Sequence, residues 1–501
     1  MKIVTSEAFK KIGDYCTKQL EIPKLILTEN SAFKIFSNLE VEKYNSFIIV
    51  CGYGNNGSDG LALARHIFIK GKKVEVFLVG NSEMTVDYRT NYNILKKFGV
   101  PINKLSNVED VSDFREIVIN GDVIVDAILG TGISRDVTGI YTQVISIINE
   151  NSKYTISLDI PSGMNCNTGR VMGNCVKATK TISLQAYKIG FLNYASEEYT
   201  GEVIVENIGI PDNIVTKFYD GESIMNLETI KKLLIPRKKY SHKGDYGNIV
   251  LVAGSKDFIG AAYISTMSSV KSGGGLVTLC CRDEIQGILS SKLTEAMTVS
   301  IKSERFEQVL EKGDVIAFGP GMGNNEETFK ILKDTLEKAT CPILIDADGL
   351  NVLENNLSLL KKYKNKLVFT PHLGEMSRLA NLSIKYIEQN RLEVAKKFAE
   401  KFNLVLVLKG YNTIITDGET TIINPTGNSS MATGGMGDCL TGIIAAFIGQ
   451  GYEPFVAAYL GVYIHGLCGD ILSQELFSVN AESVINKIPF ILKDIENYKS
   501  N

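Results

Sequence analysis

Two α/β domains built on mostly parallel sheets are the fold that this sequence predicts. The chain has 501 residues, more than one hydrophobic core normally organises, and this length favours about two to four domains. Short apolar runs recur along it with room for a helix between them, a pattern typical of βα units whose sheets are covered on both faces. The pattern loosens between residues 212 and 235, and we place the domain boundary there.

The composition indicates a soluble globular protein of the cytoplasm. Apolar residues make up 44% of the chain and charged residues 22%, and 53 basic against 56 acidic residues give a net charge of -3. This balance argues against nucleic acid or a membrane surface as a partner. The 9 cysteines include no Cys-x-x-Cys pair and the 4 histidines are isolated, so neither disulfides nor zinc are expected. The first residues lack the apolar core of a signal peptide, and Pro454 interrupts the apolar segment 440–466.

The N-terminal part begins with helices and continues as alternating strands and helices. The first forty residues have helical character, with a break at Ile22-Pro23. The first buried strand runs directly into the glycine-rich loop 52–60, and the helical segment 61–68 follows. The predicted strands of this part are residues 46–51, 74–79, 123–128, 155–159, 181–184 and 203–205.

Polar residues follow several of these strands. Because the carboxyl ends of parallel strands meet at one edge of a sheet, Asn56, Asp126, Asp159 and Ser162 are expected to lie close together. Their amide, carboxylate and hydroxyl oxygens suit a hard cation. Each aspartate could instead cap a helix after a βα turn, but three acidic strand endings at one edge, counting Asp59, favour a ligand site.

The glycine loop also matches a dinucleotide-binding pattern, so a dehydrogenase has to be considered. Gly52-x-Gly-x-x-Gly57 fits the fingerprint, which requires an acidic residue near the end of the following strand to hold a ribose. Glu75 lies in the middle of that strand, and Asp59 inside the loop would repel a pyrophosphate. A dehydrogenase is therefore the weakest of the alternatives.

A second α/β series makes up the C-terminal part. After a charged helical segment that ends near Tyr240, apolar strands again alternate with helices. Residues 413–423 are expected to form a hairpin that turns at Asp417-Gly418. The predicted strands lie within residues 247–254, 275–280, 315–323, 342–348, 367–372 and 404–409.

The strand endings of the second series predict a nucleotide-binding edge. Polar and glycine residues collect there, and each alone could be an ordinary turn. They are Gly319 to Gly323, Asp346, Asp348, His372, Glu375, Lys409 and Gly410.

A glycine-dense loop that carries one carboxylate is the strongest single signal in the chain. Gly434, Gly435 and Gly437 allow backbone N–H groups to converge on a phosphate, and the helix predicted to begin near Asp438 adds its N-terminal N–H groups. Asp438 would repel a phosphate unless it accepts a proton from the group being phosphorylated or helps to hold a bridging cation. The alternative is that Asp438 caps the helix.

Taken together, these motifs resemble the fused bacterial NAD(P)H-hydrate repair family, in which an epimerase is joined to an ADP- or ATP-dependent dehydratase. The resemblance extends over the whole chain, with many motifs in the same order. In the N-terminal part the motifs lie at residues 50–60, 125–132 and 158–163. In the C-terminal part they lie at residues 241–247, 253–255, 319–323, 370–375, 409–413 and 427–438.

The resemblance implies a Rossmann-like three-layer epimerase domain at residues 1–215. Potassium would be held by Asn56, Asp126 and Ser162. The hydrated cofactor would bind at Asn55, Asn56, Gly57, Ser58, Asp59, Gly130, Thr131, Gly132, Ile133, Ser134, Arg135, Asp136 and Asp159. Ser58 departs from the glycine usual in the family, and its side chain could narrow the cleft or require another backbone angle.

The resemblance also implies a ribokinase-like dehydratase domain at residues 225–501. Magnesium would accompany the nucleotide, which is ADP or ATP. ADP is the better expectation for a fused bacterial form. A homo-oligomer is also expected. The hydrate would bind near Ala262, Gly323, His372 and Asp438, and the nucleotide near Lys409, Gly410, Tyr411, Asn412, Thr413 and Gly437.

The implied chemistry agrees with the residues. Hydroxide is a poor leaving group, so phosphorylation of the C6 hydroxyl, with Asp438 as the base, would allow phosphate to leave and NAD(P)H to form. Asp159 is our candidate acid/base for epimerisation at C6. Two rivals remain. A vitamin or sugar kinase with an N-terminal ligand-binding domain would accumulate a phosphorylated product, and a nucleotide-sensing regulator would bind without turnover.

Overall fold

The structure is a computed structural model that describes residues 1–107, 110–219, 221–363 and 365–497. Its contacts divide the chain into two compact units, Met1–Glu222 and Ser223–Asn501. The division lies inside the interval in which the sequence placed the boundary. Both units are α/β, as the strand spacing predicted.

A seven-stranded parallel sheet forms the centre of the N-terminal unit. Its order is β4-β3-β2-β5-β6-β7-β9, and the short strands β1 and β8 pair separately. The strands are β1 (Ile3–Val4), β2 (Ser46–Cys51), β3 (Lys73–Val79), β4 (Ile102–Leu105), β5 (Val123–Ala127), β6 (Thr155–Leu158), β7 (Lys180–Leu184), β8 (Tyr187–Lys188) and β9 (Glu202–Glu206).

The central strands of this sheet are buried almost throughout, as expected when helices cover both faces. Helix ends follow ordinary capping chemistry, because the hydroxyls of Thr5 and Thr85 accept backbone N–H bonds and Gly99 ends its helix in the left-handed conformation. The helices are α1 (Ser6–Lys18), α2 (Lys24–Ser37), α3 (Asn55–Ile69), α4 (Val86–Phe98), α5 (Val111–Asn120), α6 (Ile140–Asn151), α7 (Glu197–Thr200) and α8 (Asp212–Phe218).

The C-terminal unit contains a ten-stranded sheet of order β10-β19-β18-β17-β16-β15-β14-β11-β12-β13. Strands β11 to β17 are parallel, and β18 and β19 form the predicted antiparallel hairpin. The strands are β10 (Glu222–Ile224), β11 (Asn248–Val252), β12 (Leu276–Cys281), β13 (Met297–Ser300), β14 (Val315–Phe318), β15 (Ile343–Ile345), β16 (Leu367–Phe369), β17 (Val405–Leu408), β18 (Thr413–Thr416) and β19 (Thr421–Asn424).

Twelve helices of the described chain pack around this sheet. Helix α18 is the most buried, and it packs against α10 and α19, where the Ser269 hydroxyl donates to the Gly442 carbonyl at 2.7 Å. They are α9 (Leu227–Leu233), α10 (Ile259–Lys271), α11 (Asp283–Lys292), α12 (Arg305–Glu311), α13 (Glu326–Lys338), α14 (Asp348–Asn351), α15 (Leu373–Ala380), α16 (Ile384–Gln389), α17 (Arg391–Phe402), α18 (Met436–Gly449), α19 (Pro454–Leu472) and α20 (Ala481–Asn497).

Helix α19 alone among the described helices is long and apolar enough to cross a membrane. However, 61% of its most apolar window is buried inside the unit, which is how a core helix of a globular protein behaves. The helix begins at Pro454, and the Glu453 carboxylate accepts the N–H groups of Phe455 and Val456. Pro454, which interrupts the apolar segment in the sequence, directly follows the turn between α18 and α19.

Five strands differ from the sequence expectation. The two-residue strands β1 and β8 are too short to show an apolar pattern, and β1 lies in a segment that we expected to be helical. Strands β4 and β13 were not predicted, because each is a four-residue edge strand with few apolar residues. Strand β10 lies in a segment that we expected to be helical, and that expectation is wrong for residues 222–224. The backbone N–H of Met225 next to this strand donates to Ile423, so pairing with β19 outweighs the local helical character.

All nine cysteines are buried free thiols. Burial is the largest cause of the raised pKa of each one, and it raises the pKa of Cys281 to about 11 and that of Cys166 to about 12. The chain therefore presents no thiolate to solvent at neutral pH.

Close packing between α10 and α18 predicts a sharp difference between two glycine substitutions. A Cβ at Gly442 would collide with the Ser268 hydroxyl and the Ser265 carbonyl, whereas a Cβ at Gly287 in α11 meets nothing within 4 Å. We expect Gly442→Ala to destabilise the C-terminal unit by about 1–3 kcal/mol. Gly287→Ala should stabilise it by about 0.5–1 kcal/mol, because alanine restricts the unfolded chain. Calorimetry of both variants tests this, and equal effects would contradict the described packing.

Candidate active sites

A cavity of about 1590 Å³ opens at the carboxyl ends of β2, β3, β5 and β6 in the N-terminal unit. This is the edge at which open parallel sheets bind ligands. Among the residues predicted to bind the hydrated cofactor, only Gly57 is absent from the lining. The lining includes Asn55, Asn56, Ser58, Asp59, Gly130, Thr131, Gly132, Ile133, Ser134, Arg135, Asp136 and Asp159.

The glycine loop is pressed against the sheet, which explains its glycines. A Cβ at Gly52 would collide with the Ile128 carbonyl, and one at Gly57 with the Gly52 carbonyl. A Cβ at Gly54 would meet no atom within 4 Å. Gly54 is the N-cap of α3, and as a glycine it provides no side chain to accept the first N–H groups of the helix. The first residues of α3 line the cavity without a capping side chain, and an uncapped helix N-terminus is a favourable place for an anion.

Asn56, Asp126 and Ser162 are connected by hydrogen bonds, because Asn56 and Ser162 both donate to the Leu129 carbonyl and Ser162 also donates to Asp126. The Asn56 amide donates to the carbonyls of Leu129 and Leu158 at 2.9 Å and 3.1 Å. Its buried Oδ1 has no hydrogen-bond partner among the described residues. Asp126 is fully buried and accepts from the backbone and hydroxyl of Ser162. Burial raises the pKa of Asp126, and the Ser162 bonds oppose that rise.

Asp159 forms a buried ion pair that sequence reasoning missed. The Lys188 ammonium lies 2.6 Å from Asp159 Oδ1 and has no exposed surface. The same oxygen accepts the backbone N–H of Leu184 at 3.0 Å. Asp159 has a φ of 65°, in the left-handed region that non-glycine residues seldom occupy. A lone lysine in an apolar stretch carries no pattern that pairs it with an aspartate 29 positions earlier, and only the topology brings the two together.

Asp59 stands near Asp159 as a second carboxyl group in the cavity. Burial, and then the charge of Asp159, raise the pKa of Asp59 well above its usual range. One carboxyl group is thus biased toward its protonated form beside another that is paired with a cation. Two carboxyl groups whose environments differ in this way can divide acid and base roles.

Ser58 fits without strain. It lies in the first turn of α3, is buried, and its φ is not in the left-handed region. Its hydroxyl accepts from the Asn91 amide of α4 at 3.3 Å. The alternative backbone angle considered for this position is therefore not observed.

The C-terminal unit gathers three acidic side chains, Asp346, Glu375 and Asp438, around the ammonium group of Lys409. Lys409 lies 2.8 Å from Asp346 Oδ1 and 3.9 Å from Glu375. Burial lowers the pKa of Lys409, but the charges of Asp346 and Glu375 outweigh it and the pKa rises. Thr441 of α18 donates to the other Asp346 oxygen at 2.6 Å, so the cluster is tied to the start of that helix.

Asp438 faces this cluster from the first turn of α18. Burial, and then the charge of Asp346, raise the pKa of Asp438 to about 7. The N-cap of the helix is Gly435, with a φ of 89° and no side-chain capping bond. The helix begins at Met436, slightly before the predicted start, so Asp438 does not cap it. A half-buried carboxyl that titrates near neutral pH is suited to proton transfer.

The loop before α18 is fastened to α19. Asp470 accepts the Gly427 N–H at 3.0 Å and the Asn428 amide at 2.8 Å. Gly434 has nothing within 4 Å of a Cβ position, and Gly435 leaves the first N–H groups of α18 without a side-chain acceptor. The arrangement is a fixed loop beside an open helix N-terminus, where an anionic group can bind.

The remaining predicted residues occupy three environments. His372 caps α15 and its pKa is lowered by burial and then by Lys409. Gly323 donates its N–H to Asp348 at 2.8 Å. Ala262 is fully buried in α10, beneath the surface.

The segment 409–413 is held by a residue that we missed. Arg391, on α17, donates to the carbonyls of Tyr411 and Asn412 at 2.7 Å and 3.3 Å. Its sequence context is an ordinary amphipathic helix, so nothing distinguished it from a surface arginine. Within the described ranges no group of three or more His, Cys, Asp or Glu is placed to hold a metal ion by itself.

Comparison with known proteins decides the family. A curated relative from Moorella thermoacetica, a bifunctional NAD(P)H-hydrate repair enzyme, is 35% identical over 99% of this chain and 97% of its own length. A relative of the same description from Thermofilum pendens is 34% identical over 100% and 98%. The chain belongs to the bifunctional NAD(P)H-hydrate repair enzymes. The resemblance drawn from the sequence motifs is thereby confirmed.

Each unit of this repair enzyme has its own family match. The model described as YjeF-related protein N-terminus matches residues 24–190, and the NAD(P)H-hydrate dehydratase model matches residues 249–490. A ribokinase-like superfamily protein from Enterococcus faecalis superposes with a TM-score of 0.52 and 30% identity, covering 56% of this chain and 98% of that one. The ribokinase-like fold of the C-terminal unit is confirmed.

The buried pair of Lys188 and Asp159 predicts a large stability effect. Lys188→Met leaves the carboxylate buried without its cation, and we expect the N-terminal unit to lose about 3–5 kcal/mol of unfolding free energy. The control is Lys177→Met, which removes the partner of Glu198 in an exposed pair and should leave the denaturation midpoint unchanged. Chemical denaturation measures both, and a Lys188→Met protein as stable as the wild type would contradict the pairing.

Proposed function

We propose that residues 225–501 convert hydrated NADH and NADPH of the S configuration back to the reduced cofactor with ADP or ATP. Residues 1–215 would interconvert the R and S hydrates at C6. Family membership supports the reaction, and Asp438 beside the open N-terminus of α18 is the observation that carries the assignment of the chemistry.

In the dehydratase step the oxygen of the C6 hydroxyl attacks the terminal phosphoryl group of the nucleotide. Asp438 accepts the hydroxyl proton, and the bond between the phosphoryl group and the nucleotide breaks. The C6–O bond then breaks with assistance from the electron pair of the ring nitrogen, phosphate leaves, and loss of a proton from C5 restores the double bond. The N–H groups of α18 and its loop stabilise the charge on the moving phosphoryl group.

The acidic cluster fits a magnesium ion brought by the nucleotide. Asp346, Asp348 and Glu375 lie near Asp438, and each contributes to raising its pKa. Magnesium commonly binds through one or two carboxylates together with phosphate oxygens and waters, so a complete protein cage is not required. When bound, it would neutralise phosphate charge. Lys409 and the segment 410–413, held by Arg391, would contact the nucleotide.

In the epimerase unit Asp159 would assist loss and return of the C6 hydroxyl as acid and base. Asp59 would be protonated when Asp159 is ionised, so that one of the two carboxyl groups can always donate a proton and the other accept one. Lys188 would fix the position of the Asp159 carboxylate. The unpartnered Asn56 Oδ1, with Asp126 and Ser162, is a set of oxygen atoms that suits potassium. When bound there, the ion would order the loop and compensate the buried charge of Asp126.

We also propose a cytoplasmic location, which the nine unpaired thiols support. The homo-oligomer stays a prediction from the sequence. A vitamin or sugar kinase is not favoured, because the curated relatives that match over the whole chain are repair enzymes.

Asp438→Asn should separate the two activities. We expect dehydration of the S hydrate to fall by about 10²–10⁴-fold, because the proton acceptor is lost. Epimerisation of the hydrates should be unchanged, since Asp438 belongs to the other unit. Recovery of reduced-nicotinamide absorbance with ADP and magnesium measures the first rate, and chromatography of the epimers measures the second. Accumulation of a phosphorylated product by the wild type would instead indicate a kinase.

The pKa of Asp438 predicts the pH dependence of dehydration. The base must be ionised, so the rate should rise with pH, reach half its maximum near pH 7, and level off above it. Lys409→Met removes the cation that lowers this pKa and should move the half-maximum to higher pH. A profile that is flat from pH 5 to 8 in the wild type would exclude Asp438 as the base.

A further inference from the structure

A stacked pair of tyrosines stands at one end of the N-terminal cavity. Tyr53 lies in the glycine loop, lines the cavity and is half-buried. Tyr88 of α4 lies behind it, fully buried, with ring centroids 5.7 Å apart and an angle of 15° between the planes. One face of the Tyr53 ring is therefore backed by a second aromatic ring. Nothing in the chemistry at Asp159 uses this pair.

The tyrosines are remote from the reacting end of the cavity. Tyr53 follows β2, and its ring stacks on Tyr88 of α4, the helix that follows β3. Asp159 follows β6, which lies two strands from β2 and three from β3 in the sheet. Two to three strand spacings amount to about 10–14 Å. An extended dinucleotide with its nicotinamide ring at Asp159 would therefore bring its other base to the region of Tyr53, while its diphosphate crosses the open N-terminus of α3.

The environment of Tyr88 is consistent with a role for its ring. Its hydroxyl is buried and has no hydrogen-bond partner among the described residues, so the side chain acts through the ring and not through the hydroxyl. This ring is part of the hydrophobic core of the unit and stacks on the ring of Tyr53. A ring supported in this way loses little freedom when a ligand stacks on it.

We propose that Tyr53, supported by Tyr88, is the stacking platform for the adenine ring of the hydrated dinucleotide in the epimerase unit. The proposal rests on the epimerase activity proposed above. Adenine is planar and aromatic and stacks on a tyrosine face. The hydrated nicotinamide ring is saturated at C6 and therefore offers a poorer surface for stacking than adenine does. The proposed epimerisation also requires that ring to lie at Asp159.

The experiment compares two substrates that differ only in the adenine half. Epimerisation of hydrated NADH and of hydrated reduced nicotinamide mononucleotide is followed by chromatography, with the wild type and four variants. These are Tyr53→Ala, Tyr53→Phe, Tyr88→Phe and Tyr154→Ala. The last is the matched control, because Tyr154 stacks on Tyr44 at 5.6 Å and 25°, and neither lines the cavity.

We expect Tyr53→Ala to raise the KM for hydrated NADH by about tenfold or more, with kcat little changed. Its kinetics with the mononucleotide should equal those of the wild type. Tyr53→Phe and Tyr88→Phe keep both rings and should behave as the wild type with both substrates, as should Tyr154→Ala. Adenosine monophosphate should inhibit epimerisation by the wild type at lower concentration than by Tyr53→Ala.

Two results would overturn the proposal in different ways. If Tyr53→Ala impairs both substrates equally, or lowers kcat alone, Tyr53 acts at the hydrated ring or only shapes the loop. If Tyr53→Ala matches the wild type with both substrates, the adenine lies elsewhere. A wild type that epimerises neither substrate would instead contradict the epimerase function itself, so the two failures can be told apart.

Discussion

Both sites depend on a lysine, buried at Lys188 and largely buried at Lys409, that pairs with an aspartate following a parallel strand. Lys409 binds Asp346 after β15, and Lys188 binds Asp159 after β6. An unpaired charge in either place would be strongly destabilising, so each lysine allows a carboxylate to remain at the end of a buried strand. The negative charge of each retained aspartate raises the pKa of a neighbouring carboxyl group, Asp438 beside Asp346 and Asp59 beside Asp159.

The backbone at these strand ends is also unusual. Asp159 has a φ of 65°, and Ala347, between Asp346 and Asp348, has a φ of 49°. Residues outside glycine occupy this region at a cost of order 1–3 kcal/mol, and such positions cluster at functional sites. The surrounding sheets are buried and rigid enough to impose the conformation. Side-chain direction at both sites is therefore set by the scaffold, and a ligand meets groups that are already in place.

The sequence predicted the parts of this enzyme that have a local signal. Buried strands such as Ser46–Cys51 were predicted with their observed bounds, and the residues closing them converge as the topology requires. What the sequence did not predict are partners brought together by the fold. Lys188, Arg391 and Tyr88 are unremarkable in their local context, and each acquires its role from a residue on another element. Edge strands such as Ile102–Leu105 were missed for a related reason, because pairing with a neighbour defines them more than their apolar content does.

The complete burial of the nine thiols has a practical consequence for spectroscopy. Maleimide and other thiol-directed reagents require an accessible thiolate, and the native chain offers none in its folded state. A single cysteine introduced on the surface would therefore be the one reactive group of the folded protein, without prior removal of native cysteines. A fluorophore or spin label attached in this way at the rim of either site would report on ligand binding there.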